Sequence, residues 1–169
     1  MEAPLGGVFL LLYILVQARI VMRSVIQRVN EASVEVGGEV VGIIGRGLLI
    51  LLGIHRSDTV ADIPWMIDKI INLRIFERGD GKFDTSLLDI NGGLLVVSQF
   101  TLYGDCSKGR RPSFSEAMEV NRARVLFELF IEKAKEKISH VETGIFQASM
   151  NVSLVNEGPV TVILDSKIA

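Results

Sequence analysis

Apolar positions along this chain keep one period, then another. Val34 and Val36 stand between polar neighbours, the two-residue alternation of a half-buried strand, and Gly37-Gly38 behind them is a hairpin signal. Leu48 to Ile54 is apolar without a break, as in a strand covered on both faces, and Gly45 and Gly47 bracket a tight turn before it. The stretch from Arg23 to His55 therefore predicts three or four short strands. From Thr59 to Arg74 the period lengthens. Ile63, Met66, Ile67, Ile70 and Leu73 share one helical face, Asp58 or Thr59 can cap it, and Pro64 falls in the early turns, where proline is tolerated. "RGDGKF" reads as a turn or hairpin loop, and "GGLLVVSQFTLYGD" as a strand running into something less regular. A second helix is predicted over Asn121 to Ile138, with Ala123, Leu126, Phe127, Phe130, Ile131 and Ala134 as its stripe and Lys135 and Lys137 at the dipole's negative end. Two more strands, Gln147 to Val155 and Val160 to Asp165, complete the pattern. With no repeat or linker, it describes one α/β domain with more strand than helix and with helices packed on a sheet.

Composition narrows the class. With 169 residues, 49% hydrophobic and 22% charged, the chain can bury a full core. A net charge of −2 excludes a generally basic nucleic-acid coat, so a charged ligand needs a local patch. Cys106 is the only cysteine, which excludes an internal disulfide and fits a reducing, cytoplasmic setting. Residues 1–21 look foreign to the rest. The apolar run Leu5 to Val16 is short for a membrane span, and Glu2 replaces the basic start of a secretory signal. Met22, directly before the first strand-like pattern, is the expected biological start, with the domain running over 22–169. A membrane anchor is the alternative.

The chemistry on offer is sparse. His55 and His140 have no partner at metal-binding spacing, and no nucleophile elbow, Walker loop or dinucleotide fingerprint occurs. Cys106 reads as a loop cysteine, since no histidine is placed to activate it. Two stretches are poorly explained by packing. In "SQFTLYGD", the polar Ser98, Gln99, Thr101 and Tyr103 cluster behind the apolar run Leu94 to Val97, which fits either a polar ligand site or an ordinary strand end. In "CSKGRRPSF", Lys108, Arg110 and Arg111 fit phosphate contact, or a solvated loop balanced by Glu116 and Glu119. A third oddity is "NEGPVT", where Gly158-Pro159 heads a strand although proline cannot donate to a ladder. Arg28 in "VIQRV" and Phe146 in "GIFQASM" read, by pattern alone, as a strand-surface charge and a half-buried aromatic.

In combination, "VIQRV", "NLRIFE", "SQFTLYGD", "KGRRPSF" and "VSLVNEGPVT" resemble the D-aminoacyl-tRNA deacylase family from Met22 to Asp165. The resemblance implies a strand-rich mixed sheet with a barrel-like core, a homodimer, and hydrolysis of the ester of D-aminoacyl-tRNA without metal or organic cofactor. It implies a site at Ser98, Gln99, Phe100 and Thr101, where main-chain N–H groups around Gln99 to Thr101 stabilise the ester's oxyanion. Gly158-Pro159, as a cis peptide steadied by Arg28, would project carbonyls into the partner subunit's site and exclude L side chains. A glycyl ester, as on tRNA(Ala), would pass. Phe146 would meet the terminal adenine, and Lys108, Arg110 and Arg111 the acceptor-stem phosphates. Thr101, with no base in view, is a poor nucleophile, and the terminal 2′-hydroxyl of the RNA would help activate water instead. Gln147 departs from the family, which usually has a small residue there, whereas Glu157 occupies a variable position. The rival readings are chiefly glycyl-tRNA proofreading by the same site, a catalytically silent nucleic-acid-binding protein of the same fold and, if residues 1–21 are translated, a membrane-tethered form.

Overall fold

A computed structural model of the chain describes residues 20–79 and 81–167; the apolar run Leu5 to Val16 lies outside them. Three antiparallel-paired strands open the fold: β1 (Ile20–Val36), β2 (Glu39–Ile44) and β3 (Gly47–Gly53). Gly37 and Gly38, at φ +61° and +89°, make the predicted hairpin turn between β1 and β2. Helix α1 (Asp62–Asn72) follows, then the small pair β4 (Phe76–Glu77) and β5 (Phe83–Thr85), and then β6 (Gly93–Ser98). Helix α2 (Val120–Lys135), β7 (Val141–Thr143) and β8 (Asn151–Lys167) complete the chain. Among the described residues no helix is long and apolar enough to cross a membrane.

β1 organises the sheet. One edge pairs with β8 along most of its length, and the other pairs first with β3 and then with β2. β3, β6 and β7 run parallel, which requires crossovers, and α1 and α2 supply them. The sheet rolls toward closure. A side chain added at Gly42 of β2 would lie 2.6 Å from the Thr143 carbonyl oxygen of β7, so the two edges touch. At Gly47 an added Cβ would fall 1.9 Å from the Gly93 carbonyl, so only glycine allows β3 this close to β6. Alternate residues serve two cores. Leu48, Ile50 and Leu52 face the helices with Met66, Ile70 and Phe130, while Leu49 joins Val29, Val34, Ile44 and Leu95 on the other face.

Several boundaries differ from the sequence pattern for identifiable reasons. α1 starts at Asp62, because the Asp58 carboxylate is turned inward to accept from the Met22 and His55 amides, at 2.8 and 2.6 Å. Thr59 stands two residues before the N-cap Ala61, its hydroxyl accepting from the Ala61 amide at 3.3 Å while its own amide donates to Asp62 at 2.8 Å. α2 starts at Val120, since the Glu119 carboxylate accepts from the Asn121 and Arg122 amides; those bonds hold its pKa below the usual range. Lys137 falls beyond the helix and faces Asp68 at 3.9 Å. The two C-terminal strands expected are one strand, with Gly158-Pro159 inside it. β7 was not legible at all, being only three residues long.

Candidate active site

The three parallel strands aim their carboxyl ends at one cleft, the usual place for a ligand on such a sheet. β3 delivers Ile54, β6 delivers Ser98, and the turn after β7 delivers Phe146. The cleft holds about 620 Å³, and Ser98, Gln99, Phe100, Phe114, Met118, Phe146 and Gln147 are among the residues lining it. Four residues singled out from sequence are thus brought together. Thr101 is exposed one residue further on, in the 3-10 turn Phe100–Tyr103.

That turn decides which amides are available. The Gln99 N–H continues the ladder and donates to the Leu52 carbonyl at 2.8 Å. It is therefore spent, contrary to the expectation that amides from Gln99 onward face a ligand. The Phe100 and Thr101 N–H groups open the turn with no main-chain acceptor among the described residues, as first-turn amides do. The Gln99 side-chain amide donates to the Thr101 hydroxyl oxygen. No imidazole, carboxylate or amine among the described residues is hydrogen-bonded to that hydroxyl. His55 lies outside the cleft lining, its ring bridging Ser57 at 2.7 Å and Glu116 at 3.0 Å. His140 is exposed, 3.6 Å from Glu142. Among the described residues no group of three His, Cys, Asp or Glu is arranged to hold a metal ion.

The basic loop stands beside the cleft. Asp105 and Ser113 pair main chain to main chain at 2.8 and 2.9 Å, closing a loop that turns at Gly109, φ +83°. Lys108, Arg110 and Arg111 are exposed on it, as is Cys106. At its foot Phe114 packs edge-on against Phe100, ring centres 5.0 Å apart, so the loop is anchored to the cleft wall.

Phe146 is half-buried, and its neighbours were not foreseen. Phe127 leans on it at 5.6 Å, and the Arg124 guanidinium of α2 sits 5.2 Å from the ring centre. Arg124 also donates to the Gln147 side-chain oxygen at 3.0 Å. Gln147 has φ +69°, the left-handed region that glycine enters freely and other residues enter at a cost.

Gly158-Pro159 stands elsewhere. The peptide is cis, and Gly158 has φ +130°. β8 bulges here: Asn156 pairs with Val29 and Thr161 with Gln27, so residues 157–160 all oppose Arg28. Asn156 clamps the bulge, accepting from the Val160 amide at 2.8 Å and donating to Gln27 at 2.5 Å. Arg28 is 3% exposed, not the surface charge its pattern implied. It donates to the Glu157 carbonyl at 3.0 Å and to the Ile75 carbonyl at 2.6 Å. Arg46 holds the Glu157 carboxylate with two bonds, at 3.2 and 3.3 Å, so this variable position is an anchor of the turn. Arg46 could not be found from sequence, because nothing local ties it to residue 157. Arg28 pairs with Leu48 at the start of β3, whereas the cleft opens beyond Leu52. Four residues of strand, about 13 Å, separate the two levels, so within one chain the two motifs lie toward opposite ends of β3.

The chain is similar to known proteins along most of its length. D-aminoacyl-tRNA deacylases from Desulfitobacterium hafniense and Kosmotoga olearia are 58% and 56% identical over 146 residues, each match covering 86% of this chain and 98% of the relative. A solved structure described as c-Myc DNA Unwinding Element Binding Protein aligns with TM-score 0.81 and 41% identity, over 85% of this chain and 98% of that one. A probable eukaryotic D-amino acid tRNA deacylase shares the fold at TM-score 0.76 and 18% identity, over 87% of this chain and 100% of that one. The family model described as D-Tyr-tRNA(Tyr) deacylase matches residues 25–165, and the chain belongs to that family.

Proposed function

We propose that this protein hydrolyses the ester of D-aminoacyl-tRNA, releasing tRNA and the D-amino acid, in a homodimer whose two sites each combine motifs from both chains. The observation that carries this reading is the separation just described. A cleft with two available amides and a rigidly clamped Gly-Pro turn lie toward opposite ends of β3, and a second copy is the natural means of bringing them together. Exposed Phe100 at the cleft and exposed Val155 and Ile163 on β8 are apolar surface for a second copy to cover.

The division of labour follows from the groups present. The ester carbonyl sits at the Phe100 and Thr101 amides, which are fixed before the reaction and stabilise the oxyanion as it forms. Water adds to the carbonyl carbon, the bond to the terminal 3′-oxygen breaks, and that oxygen leaves with a proton. The neighbouring 2′-hydroxyl of the RNA assists the water, since the site offers Thr101 no base. The partner's Gly-Pro carbonyls leave room for a hydrogen but not for an L side chain, a selection that works by exclusion. Glycyl-tRNA(Ala), with no side chain, is accepted. Lys108, Arg110 and Arg111 meet acceptor-stem phosphates.

The test is hydrolysis of D-tyrosyl-tRNA and glycyl-tRNA(Ala) beside L-tyrosyl-tRNA. Loss of the first two with the L-ester intact is expected. A folded protein that binds tRNA and hydrolyses none of them is instead a silent nucleic-acid-binding protein.

A further inference from the structure

Arg124 is the charged group near the cleft that the deacylase reading leaves without a task. Its guanidinium is exposed on the flank of α2, next to Ala123, which lines the cleft. Among the described residues no carboxylate lies within 4.0 Å of it. It is nevertheless held, by the Phe146 ring at 5.2 Å and by the Gln147 side-chain oxygen at 3.0 Å. Both holding groups line the cleft. Gln147 does this from a left-handed backbone position, φ +69°, where glycine would be at ease and a side chain is tolerated only with compensation. A cation fixed by neutral partners keeps its full charge for a ligand. A planar guanidinium with several free N–H groups suits a phosphate oxygen better than a neutral base edge.

We propose that Arg124 contacts the backbone phosphate of the RNA's 3′-terminal nucleotide, with Gln147 and Phe146 as the residues that position it. The inference rests on the deacylase reading and extends it: the cleft then has cations on two sides, the 106–113 loop and α2, and the RNA end enters between them. The face of Phe146 under the guanidinium is already covered, so a base cannot stack directly on that face while Arg124 stays in place.

Three probes test this in the full-length protein: D-tyrosyl-tRNA, 3′-O-D-tyrosyl-adenosine, which has no phosphate, and an uncharged acceptor-stem hairpin ending in CCA. Arg124→Gln is expected to raise KM for the tRNA ester about tenfold with kcat nearly unchanged, the loss of one charge-assisted contact. The slope of log KM against log salt should shrink by about 0.7, one single-strand phosphate's worth. Hydrolysis of the adenosine ester should not change. Gln147→Gly, which suits the backbone and so preserves the fold, should raise KM less and leave the salt slope intact, because the charge remains. Unchanged KM and slope in Arg124→Gln, or equal loss on both esters, overturns the assignment. If the wild-type protein hydrolyses neither ester, the deacylase reading fails by itself. Hairpin binding then decides for Arg124: weaker binding in Arg124→Gln with the shallower slope upholds the phosphate contact, and unchanged binding refutes it.

Discussion

Replacing Arg28 with alanine removes one bond to the Gly-Pro turn, at the Glu157 carbonyl, and one to the Ile75 carbonyl. The bond to the Ile75 carbonyl is short, 2.6 Å, and buried, so that acceptor is left unsatisfied, at about 1–3 kcal/mol. The Glu157 carbonyl, bonded at 3.0 Å, lies at a more open place and regains water, so its loss costs about 1 kcal/mol. The ion pairs with Glu77 and Glu157 are long, 3.6 Å each, and their carboxylates are partly exposed, which adds less than about 1 kcal/mol. The sum, about 2–5 kcal/mol, lies within the stability of a domain this size, so the variant should fold with its melting temperature lowered by about 10 °C. Arg28→Lys, reaching one carbonyl, should lose about half as much. Thermal unfolding checks these magnitudes, and kcat/KM for D- and L-tyrosyl-tRNA checks the consequence. A loosened turn should admit the L-ester, lowering the D-to-L ratio about tenfold. A variant destabilised as calculated whose D-to-L ratio is unaltered would refute the idea that Arg28 serves selection.

Other positions give sharp expectations. Gly158→Ala would force a side chain into φ +130°, with its Cβ 2.9 Å from Val160 Cγ2 and 3.0 Å from Arg28 Nη2; a loss of at least about 2 kcal/mol should appear in urea unfolding. Burial pushes the Asp58 carboxyl up to about 7, above the roughly 4 of an unfolded aspartate. Between those values the folded state holds more protons, so this group costs stability as pH rises from about 4 to 7, by up to about 4 kcal/mol. Stability of the wild type minus that of Asp58→Asn, measured across this range, should therefore fall with rising pH; a flat or rising difference contradicts the burial argument. Thr101→Val removes the hydroxyl that Gln99 holds and should leave kcat for D-tyrosyl-tRNA within about tenfold of wild type, whereas loss by about 10⁴-fold or more in single-turnover assays would mark Thr101 as the nucleophile.

Periodicity carried most of the fold. The unbroken apolar run at Leu48 marked the central strand, and the stripe from Ala123 to Ala134 marked α2, because the spacing of apolar residues is itself local in the sequence, whatever distant element covers them. What pattern could not reveal depends on contacts distant in sequence. Asp58 looked like a helix cap, but its carboxylate is drawn inward by the Met22 amide, thirty-six residues away. Arg28 looked like a surface charge because a bulge in β8, invisible in β1, covers it. Residues 157–160 read as the start of a new strand, since glycine and proline usually interrupt ladders; Asn156 and Arg28 instead hold the excursion within one strand. The cleft residues Ser98, Gln99 and Phe100 were legible in the sequence as part of a motif. The Arg124–Gln147 contact was not, because the partners lie on separate elements 23 residues apart.

The central claim is that the protein supplies amides and exclusion while the RNA supplies the hydroxyl that assists water. It is tested most directly by comparing D-tyrosyl-tRNA with the same substrate ending in 2′-deoxyadenosine, at saturating enzyme in single turnover. The account predicts that the deoxy substrate binds comparably and is hydrolysed at least about 100-fold more slowly. Equal rates on both substrates would contradict it and return the search for a base to the protein.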